Sequence, residues 1–229
     1  MSYFTRFIRN FQQDFKIFLW FCFLHTVFRT IFIALFHSQL TAGVLTFDTL
    51  DALWLGLRLS LKTSGFVMIL SLIFSTLPNL FLSCWPSNKI RHWIGYIGTM
   101  LFTLLFFARI PFYRIFSSGF NLMLINGGND DIRAILITAI QEYGLLWRLP
   151  AALLCGLAFS LLLRKWLAIP VFSLIPATKA KTILYSIVTT VFLTLFFIFI
   201  RYGGAFSFHN SINWESAARF KSNLLNEAV

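Results

Sequence analysis

Five apolar runs, each close to twenty residues long, constrain this chain more than any other feature of its sequence. A membrane-spanning α-helix needs about twenty apolar residues, because the hydrocarbon core is about 30 Å thick and a helix rises about 1.5 Å per residue. The runs lie at 17–36, 64–84, 93–112, 146–163 and 182–200. They predict an all-α polytopic membrane protein whose five transmembrane helices form a transmembrane domain over residues 1–201.

The composition supports this class and narrows the range of partners. Charged residues make up 12% of the chain and hydrophobic residues 58%, whereas about 25% charged residues is usual in a soluble domain. The net charge of +11 would suit nucleic acid in a soluble protein, but no basic run is interleaved with aromatics on a soluble face. In a membrane protein the same charge orients the spans and contacts headgroups, so we expect anionic phospholipid as partner and no nucleic acid.

The basic residues divide unequally between the two sides of the predicted spans. With the N-terminus inside, the inner segments hold nine basic residues and the outer segments hold six before the last span. The inner set is Arg6, Arg9, Lys16, Lys89, Arg91, Arg164, Lys165, Lys179 and Lys181, and the outer set is Arg58, Lys62, Arg109, Arg114, Arg133 and Arg148. Since basic residues favour the cytoplasmic side, the N-terminus is predicted inside and the C-terminus outside.

The six basic residues of the outer set, here called the outer cations, are candidates for binding lipid phosphate. Arg109 and Arg114 bracket Pro111 at the outer end of the third run. A guanidinium there either extends toward the interface to keep its charge in water or binds a lipid phosphate through two N–H groups. Both interpretations stay open, although six outer cations exceed what orientation alone would favour.

Amphipathic segments in the outer connections predict two or three interfacial helices on the outer face. In 48–62 the apolar residues recur at helical spacing, with charged residues on the opposite side. The same pattern returns in 132–143, after the turn NGGND. Such segments favour lying flat in the headgroup layer with the apolar face down.

Two further groups of polar residues are candidates for a functional role. Asp130 and Asp131 are a possible polar or cation contact, although their place in NGGNDDIR also suits helix capping. His25 and Arg29 lie one turn apart inside the first run, where ionisable side chains are functional candidates. We expect a neutral His25 bonded to a neighbouring helix and an Arg29 that faces protein or a wet cavity.

Motifs of soluble enzymes are not found in this sequence. There is no GxSxG, HExxH or P-loop pattern, and the three cysteines have no metal-ligand spacing. No catalytic residue and no metal ligand is therefore assigned, and whether the chain belongs to an enzyme stays uncertain.

Three stretches resemble the N-terminal membrane domain of the lipoteichoic-acid-synthase-like proteins, a family of sulfatase-like phosphoglycerol transferases of the bacterial cell envelope. They are LWLGLRLSLKTSGF (53–66), ARIPFYRIFSSGFNLMLINGGNDDIRAIL (108–136) and RYGGAFSFHNSINWESAARFKSNLLNEAV (201–229). In that family five spans precede an extracellular sulfatase or alkaline-phosphatase-type domain, which carries a Thr nucleophile and Mn or Mg. None of that domain's motifs can be placed on this sequence.

The resemblance implies a multi-pass protein of the bacterial cytoplasmic membrane. Its role would be to anchor, and guide donor lipid to, a phosphoglycerol or phosphoethanolamine transferase whose catalytic domain is separately encoded or lost. The alternative is an independent small transporter or an assembly or scaffold protein. Residues 202–229 are then expected to form an extracytoplasmic connector: Gly203 and Gly204 end the last span, and 211–229 favours a helix docked along the outer surface.

Overall fold

The fold is a bundle of five long helices, seen in a computed structural model that describes residues 3–40, 46–82, 84–120, 137, 140, 141, 143–173, 178–213 and 219–229. These helices are α1 (Tyr3–Leu35), α2 (Thr46–Phe81), α3 (Ser87–Phe116), α4 (Leu145–Ala168) and α5 (Lys179–Arg201). A short helix, α6 (Asn223–Ala228), follows them. Each of the five long helices is long and apolar enough to cross a membrane. The all-α polytopic class with five spans is thus confirmed.

Successive long helices run in opposite directions, which gives the bundle two faces. The N-face holds the start of α1, the turn between α2 and α3, and the connection from α4 to α5. There Gln12 donates a hydrogen bond to Phe172 O at 2.8 Å. The C-face holds the opposite ends of the helices together with α6, and there Arg58 Nε donates to Gly203 O at 2.7 Å.

Helix α1 lies at the centre of the bundle and α5 at its edge. Half of the most apolar window of α1 is buried inside the protein, compared with 6% for α5. Aromatic rings join α1 to α3: Phe28 stacks on Phe106 with centroids 4.5 Å apart, and Phe32 meets Tyr113 edge-on at 4.9 Å. The Phe-rich sequence therefore fills the interior around α1, while the apolar side chains of α5 are left for lipid.

The predicted amphipathic segment 48–62 is helical, but it belongs to α2, whose α-helix continues without a break to Ser71. Leu50 and Trp54 of its apolar stripe are 63% and 59% exposed, so this stripe faces away from the protein interior. The residues packed inward are Ala52, Leu55, Gly56 and Leu59. The segment is thus the first part of the second-span helix, not a separate helix in the headgroup layer. Most of 132–143 lies outside the described residues.

A π-helical turn, Leu72–Thr76, interrupts α2 near the N-face. Pro78 follows it and has no N–H to give to Phe74 O, so the Trp85 indole donates to that carbonyl instead, at 3.0 Å. A π-turn holds one residue more than an α-turn and rotates the flanking side chains. The hydroxyl side chains that are fully buried there are Ser71, Ser75 and Thr76.

The tail after α5 folds back into the bundle. Gly203 and Gly204 have φ of 63° and 81°, and as predicted they end the span. Within the described part of the tail, 211–213 and 219–222 are not helical, so the predicted helix over 211–229 shortens to α6. The Asn226 side chain bonds both Phe220 N and Phe220 O, at 2.7 and 2.8 Å, which competes with helical backbone bonds at that point.

Candidate functional site

A cavity of about 640 Å³ lies at the C-face between α1, α2, α3 and the tail, and we call it the C-face cavity. Its apolar wall includes Phe28, Phe102, Leu105, Phe106 and Phe120. Two arginines also line it, Arg29 from α1 and Arg109 from α3. An apolar cavity with a few convergent polar groups is the usual form of a ligand site.

Arg29 is held in place in the interior by oxygen atoms of Ser60, Ala228 and Val229. Its side chain is 9% exposed. Nε donates to Ala228 O at 2.8 Å, and Nη2 donates to Val229 O at 2.9 Å and to Ser60 Oγ at 3.2 Å. The remaining nitrogen, Nη1, is buried without a hydrogen-bond partner among the residues that the structure describes. Since an unpaired buried donor costs about 1–3 kcal/mol, this nitrogen is placed to bind an acceptor in the cavity.

The position of Arg29 depends on a glycine of the neighbouring helix. A Cβ added at Gly56 would overlap the Arg29 guanidinium. One turn further along α2, Ser60 Oγ donates to Gly56 O at 2.8 Å and accepts from Arg29. Small residues on α2 thus make the room in which a large charged side chain of α1 lies, as is common where membrane helices pack closely.

Arg109 approaches the same cavity from α3. Its guanidinium carbon lies 4.4 Å from the centroid of the Phe32 ring, and Nη2 donates to Glu227 O. The Glu227 carboxylate accepts from Gly119 N at 2.6 Å. Two guanidinium groups and the Glu227 carboxylate therefore lie together at the cavity, and Arg29 also binds the Val229 oxygen. A phosphate oxygen is the kind of acceptor that such a pair binds best.

The cavity reaches the perimeter of the bundle. Thr63 of α2 and Leu105 of α3 both line it and are both exposed on the outside of the helices. We infer from this that the cavity opens between them, toward the region that lipid chains occupy around a membrane protein. A ligand with a polar head and an apolar chain can enter there without passing through water.

Two of the outer cations, Arg58 and Lys62, bind the backbone of the segment after α5. Arg58 Nη2 donates to Asn210 O at 2.7 Å, in addition to its bond with Gly203 O. Lys62 Nζ donates to Ile212 O. These side chains hold the tail where it leaves the last span, and their binding to lipid phosphate stays a prediction.

Arg114 and Arg148 lie near each other at the C-face, outside the C-face cavity. Arg114 is exposed, and Arg148 lies 5.0 Å from the Trp147 ring centroid. Arg133, Asp130 and Asp131 lie outside the described residues. Of the outer cations that the structure describes, Arg109 is the one that lines the same cavity as Arg29.

His25 also lines the C-face cavity, one turn from Arg29 on α1. Its ring meets Phe102 edge-on with centroids 4.6 Å apart. Within the described part of the chain its Nε2 has no hydrogen-bond partner, so this nitrogen does not make the expected bond of His25 to a neighbouring helix there. His25 is instead a second buried polar group that faces the cavity.

Sequence reasoning missed a buried ionic network at the N-face. Asp14 and Arg91 are 0% and 1% exposed, and Arg91 Nε lies 2.8 Å from Asp14 Oδ1. Two hydroxyl groups from the π-turn region also donate hydrogen bonds to this carboxylate. Ser71 Oγ donates to Oδ1 at 2.6 Å, and Thr76 Oγ1 donates to Oδ2. The other guanidinium nitrogens of Arg91 bind Asn88, Asn10 and Thr76. Each nitrogen of the guanidinium and each oxygen of the carboxylate thereby has a hydrogen-bond partner, which suits a structural role.

A signal for this network was present in the sequence. Asp14 is the first acidic residue of the chain and precedes the first apolar run by only three residues. Apolar residues continue before it at helical spacing, at Phe4, Phe7 and Phe11. Since the helix starts at Tyr3, Asp14 lies inside the bundle, and a lone acid on a buried helix requires a cationic partner.

The five spans define the class: this chain is a multi-pass α-helical membrane protein. Comparison with protein-family models, with curated proteins and with solved structures gives no match to any of them. Among the described residues, no group of three or more His, Cys, Asp or Glu side chains is arranged to hold a metal ion. The function therefore has to be argued from the C-face cavity itself.

Proposed function

We propose that the C-face cavity holds the phosphate of an anionic phospholipid, and that the chain is the anchor and donor-lipid guide of a phosphoglycerol or phosphoethanolamine transferase. The observation that carries the lipid site is Arg29, a buried guanidinium with a free Nη1 in an apolar cavity. Arg109 lies beside it and adds a second cation. The transferase role rests on the sequence resemblance.

Two guanidinium groups at one apolar cavity favour a phosphate as the ligand. Coulomb attraction is stronger in an apolar cavity than in water, because the effective dielectric constant is lower. A phosphodiester supplies acceptor oxygens to both guanidinium groups. A lipid without a phosphate would fill the space but offer no anionic oxygen to Nη1 of Arg29.

The position of Arg29 along α1 agrees with the level of lipid phosphates. The 33 residues of α1 extend for about 50 Å, which exceeds the hydrocarbon thickness of about 30 Å. A centred helix would therefore extend about 10 Å beyond the hydrocarbon at each end. Arg29 lies six residues before Leu35, about 9 Å along the axis, and so lies close to the boundary between chains and headgroups.

The proposed orientation places the C-face on the outer side of a bacterial cytoplasmic membrane. It follows from the nine basic residues of the predicted inner segments against the six outer cations. A phospholipid of the outer leaflet would then reach the C-face cavity through the opening at Thr63 and Leu105. Guiding the donor lipid to this site would raise its effective concentration at a tethered catalytic domain.

Native mass spectrometry of the purified protein in nanodiscs of phosphatidylglycerol and phosphatidylcholine tests the lipid site. We expect the double variant Arg29→Gln/Arg109→Gln to retain about tenfold less phosphatidylglycerol, because two charge-assisted hydrogen bonds are removed. The matched control is Arg114→Gln/Arg148→Gln, which removes the same charge from the same face outside the cavity. This control should retain phosphatidylglycerol as the wild type does.

A third variant keeps the test valid if the Arg29 variant unfolds. Thr63→Trp leaves every charge in place and fills the lateral opening with a large side chain. It should also lower the retained phosphatidylglycerol. Equal retention in the wild type, the cavity variants and Thr63→Trp, or an equal loss in the surface control, would contradict the proposed site.

A further inference from the structure

We propose that the N-face carries a second and separate binding site for a phosphate group. The site is a cavity of about 500 Å³, here called the N-face cavity, between the start of α1, the start of α3 and the end of α4. Its basic lining residues are Arg9, Arg91, His92 and Arg164. No acidic residue lines it, so among the described residues the cavity collects cations from three helices.

The segment 169–173, which follows α4, forms one wall of this cavity and is held by hydrogen bonds to α1. The Gln12 side chain donates to Phe172 O at 2.8 Å and accepts from Phe172 N at 3.0 Å. Lys16 Nζ donates to Ile169 O, and Trp166 Nε1 donates to Lys16 O at 3.0 Å. These bonds hold the backbone of 169–173 against α1, and that segment supplies Ile169 and its neighbours to the lining.

Arg91 also lines the cavity, and its side chain is fixed in position. Its guanidinium is 1% exposed and is held by Asp14. Asn88, one turn earlier on α3, accepts a hydrogen bond from Arg91 Nη1 at 3.0 Å and also lines the cavity. The charge of Arg91 is thus already compensated. It positions the cavity, and the charge available to a ligand comes from the other basic side chains.

Arg9 and Arg164 provide that available charge. Both side chains are exposed, and in the part of the chain that the structure describes neither makes a hydrogen bond or an ion pair with protein. They come from helices α1 and α4 and both line the cavity. Two guanidinium groups from different helices at one cavity suit the several oxygens of one phosphate group. The ligand is a phosphomonoester or phosphodiester, borne by a lipid headgroup or by a free phosphate.

A fluorescent label at the rim of the N-face cavity tests the site locally. The label is attached to Ser173→Cys in full-length protein whose native cysteines are replaced by alanine, and titrations use dioctanoyl phosphatidic acid in one arm and inorganic phosphate in the other. We expect a saturable signal that Arg9→Gln/Arg164→Gln weakens about tenfold or more, because charge-assisted hydrogen bonds are lost. The control Lys89→Gln/Lys165→Gln removes the same charge from the N-face outside the cavity and should shift affinity by less than about twofold.

The two arms of the experiment identify the source of the phosphate. A response to the lipid alone assigns the site to a headgroup, and a response to both probes assigns it to phosphate-bearing solutes as well. No saturable signal with either probe would overturn the proposal, and so would equal weakening by the cavity variant and the control. Because the label reports from the N-face, failure of the proposed function at the C-face leaves this result unchanged.

Discussion

At the scale of single residues, the bundle treats two buried ionic sites in different ways. The charge of Asp14 is neutralised by Arg91, and hydroxyl groups satisfy the rest of the carboxylate. Arg29 is held by Ser60 and by oxygen atoms of Ala228 and Val229, which orient the guanidinium and leave Nη1 without a partner among the described residues. The first arrangement stabilises the fold, and the second leaves a donor nitrogen available to a ligand.

Asp14→Asn should destabilise the protein strongly, because it leaves the Arg91 charge buried without its partner. Breaking one side of a buried pair costs about 3–5 kcal/mol, and thermal unfolding in detergent measures the loss. The matched control is Asp51→Asn, which breaks the exposed pair of Asp51 with Arg219 and should cost about 1 kcal/mol or less. Equal melting temperatures for Asp14→Asn and the wild type would show that the pair does not stabilise the bundle.

Residue type and position alone were enough to single out Arg29 and Arg109, but not their partners. An arginine inside an apolar run needs a special environment, and this much can be inferred from sequence. The acceptors of Arg29 lie about 200 positions away, at Ala228 and Val229. A local pattern carries no information on such a contact, so the pairing of the two arginines at one cavity required the structure.

At the scale of elements, the π-turn of α2 links helix geometry to the ionic network. The turn contains one residue more than an α-helix needs, and the side chains of Ser71 and Thr76 on its two sides both reach Asp14. In an unbroken α-helix, residues five positions apart point in directions about 140° apart and could not meet one carboxylate. The irregularity is therefore part of the network and not a defect of the helix.

Deleting Ile73, which is 45% exposed within the turn, should convert it to regular α-helix. Ser71 and Thr76 would then be four positions apart and point in directions about 40° apart, so both hydroxyl groups should still reach Asp14. We expect a stability loss well below that of Asp14→Asn, and the two losses should add because the deletion leaves the bonds to the carboxylate in place. The unfolding free energies of the deletion, Asp14→Asn and the combination form the cycle. A deletion as costly as Asp14→Asn, or a combination that costs clearly less than the sum, would show that the bonds to Asp14 require the extra residue.

The spans were predictable as elements because a bilayer demands about twenty apolar residues from any helix that crosses it. The inward face of α2 was not predictable from hydrophobicity, because Gly56 and Ser60 are buried there for their contacts with Arg29. Gly56 leaves room for the guanidinium, and Ser60 accepts a hydrogen bond from it. The tail was mispredicted for a similar reason. Leu224 and Leu225 are 1% and 0% exposed, because they pack inside the bundle. A helix docked along the outer surface would leave more of these side chains exposed.

At the scale of the whole molecule, the orientation decides which face meets which compartment. Cys84 is an exposed native thiol in the N-face turn between α2 and α3. In sealed right-side-out vesicles, we expect a membrane-impermeant maleimide to leave Cys84 unlabelled until the vesicles are opened. The control is His209→Cys at the C-face, which should be labelled in intact vesicles. Labelling of Cys84 in intact vesicles would show that the orientation is opposite to the proposed one.

Photo-crosslinking tests most directly whether an anionic phospholipid occupies the C-face cavity. Phe120 lines the cavity and is 40% exposed, so Phe120→p-benzoylphenylalanine places a photoreactive group beside the proposed lipid. Phe206, 65% exposed at the same face and outside the cavity, takes the same substitution as the control. The account predicts that adducts at 120 are enriched in phosphatidylglycerol over the bilayer composition, while those at 206 match it. Adducts at both positions that match the bilayer composition would contradict it.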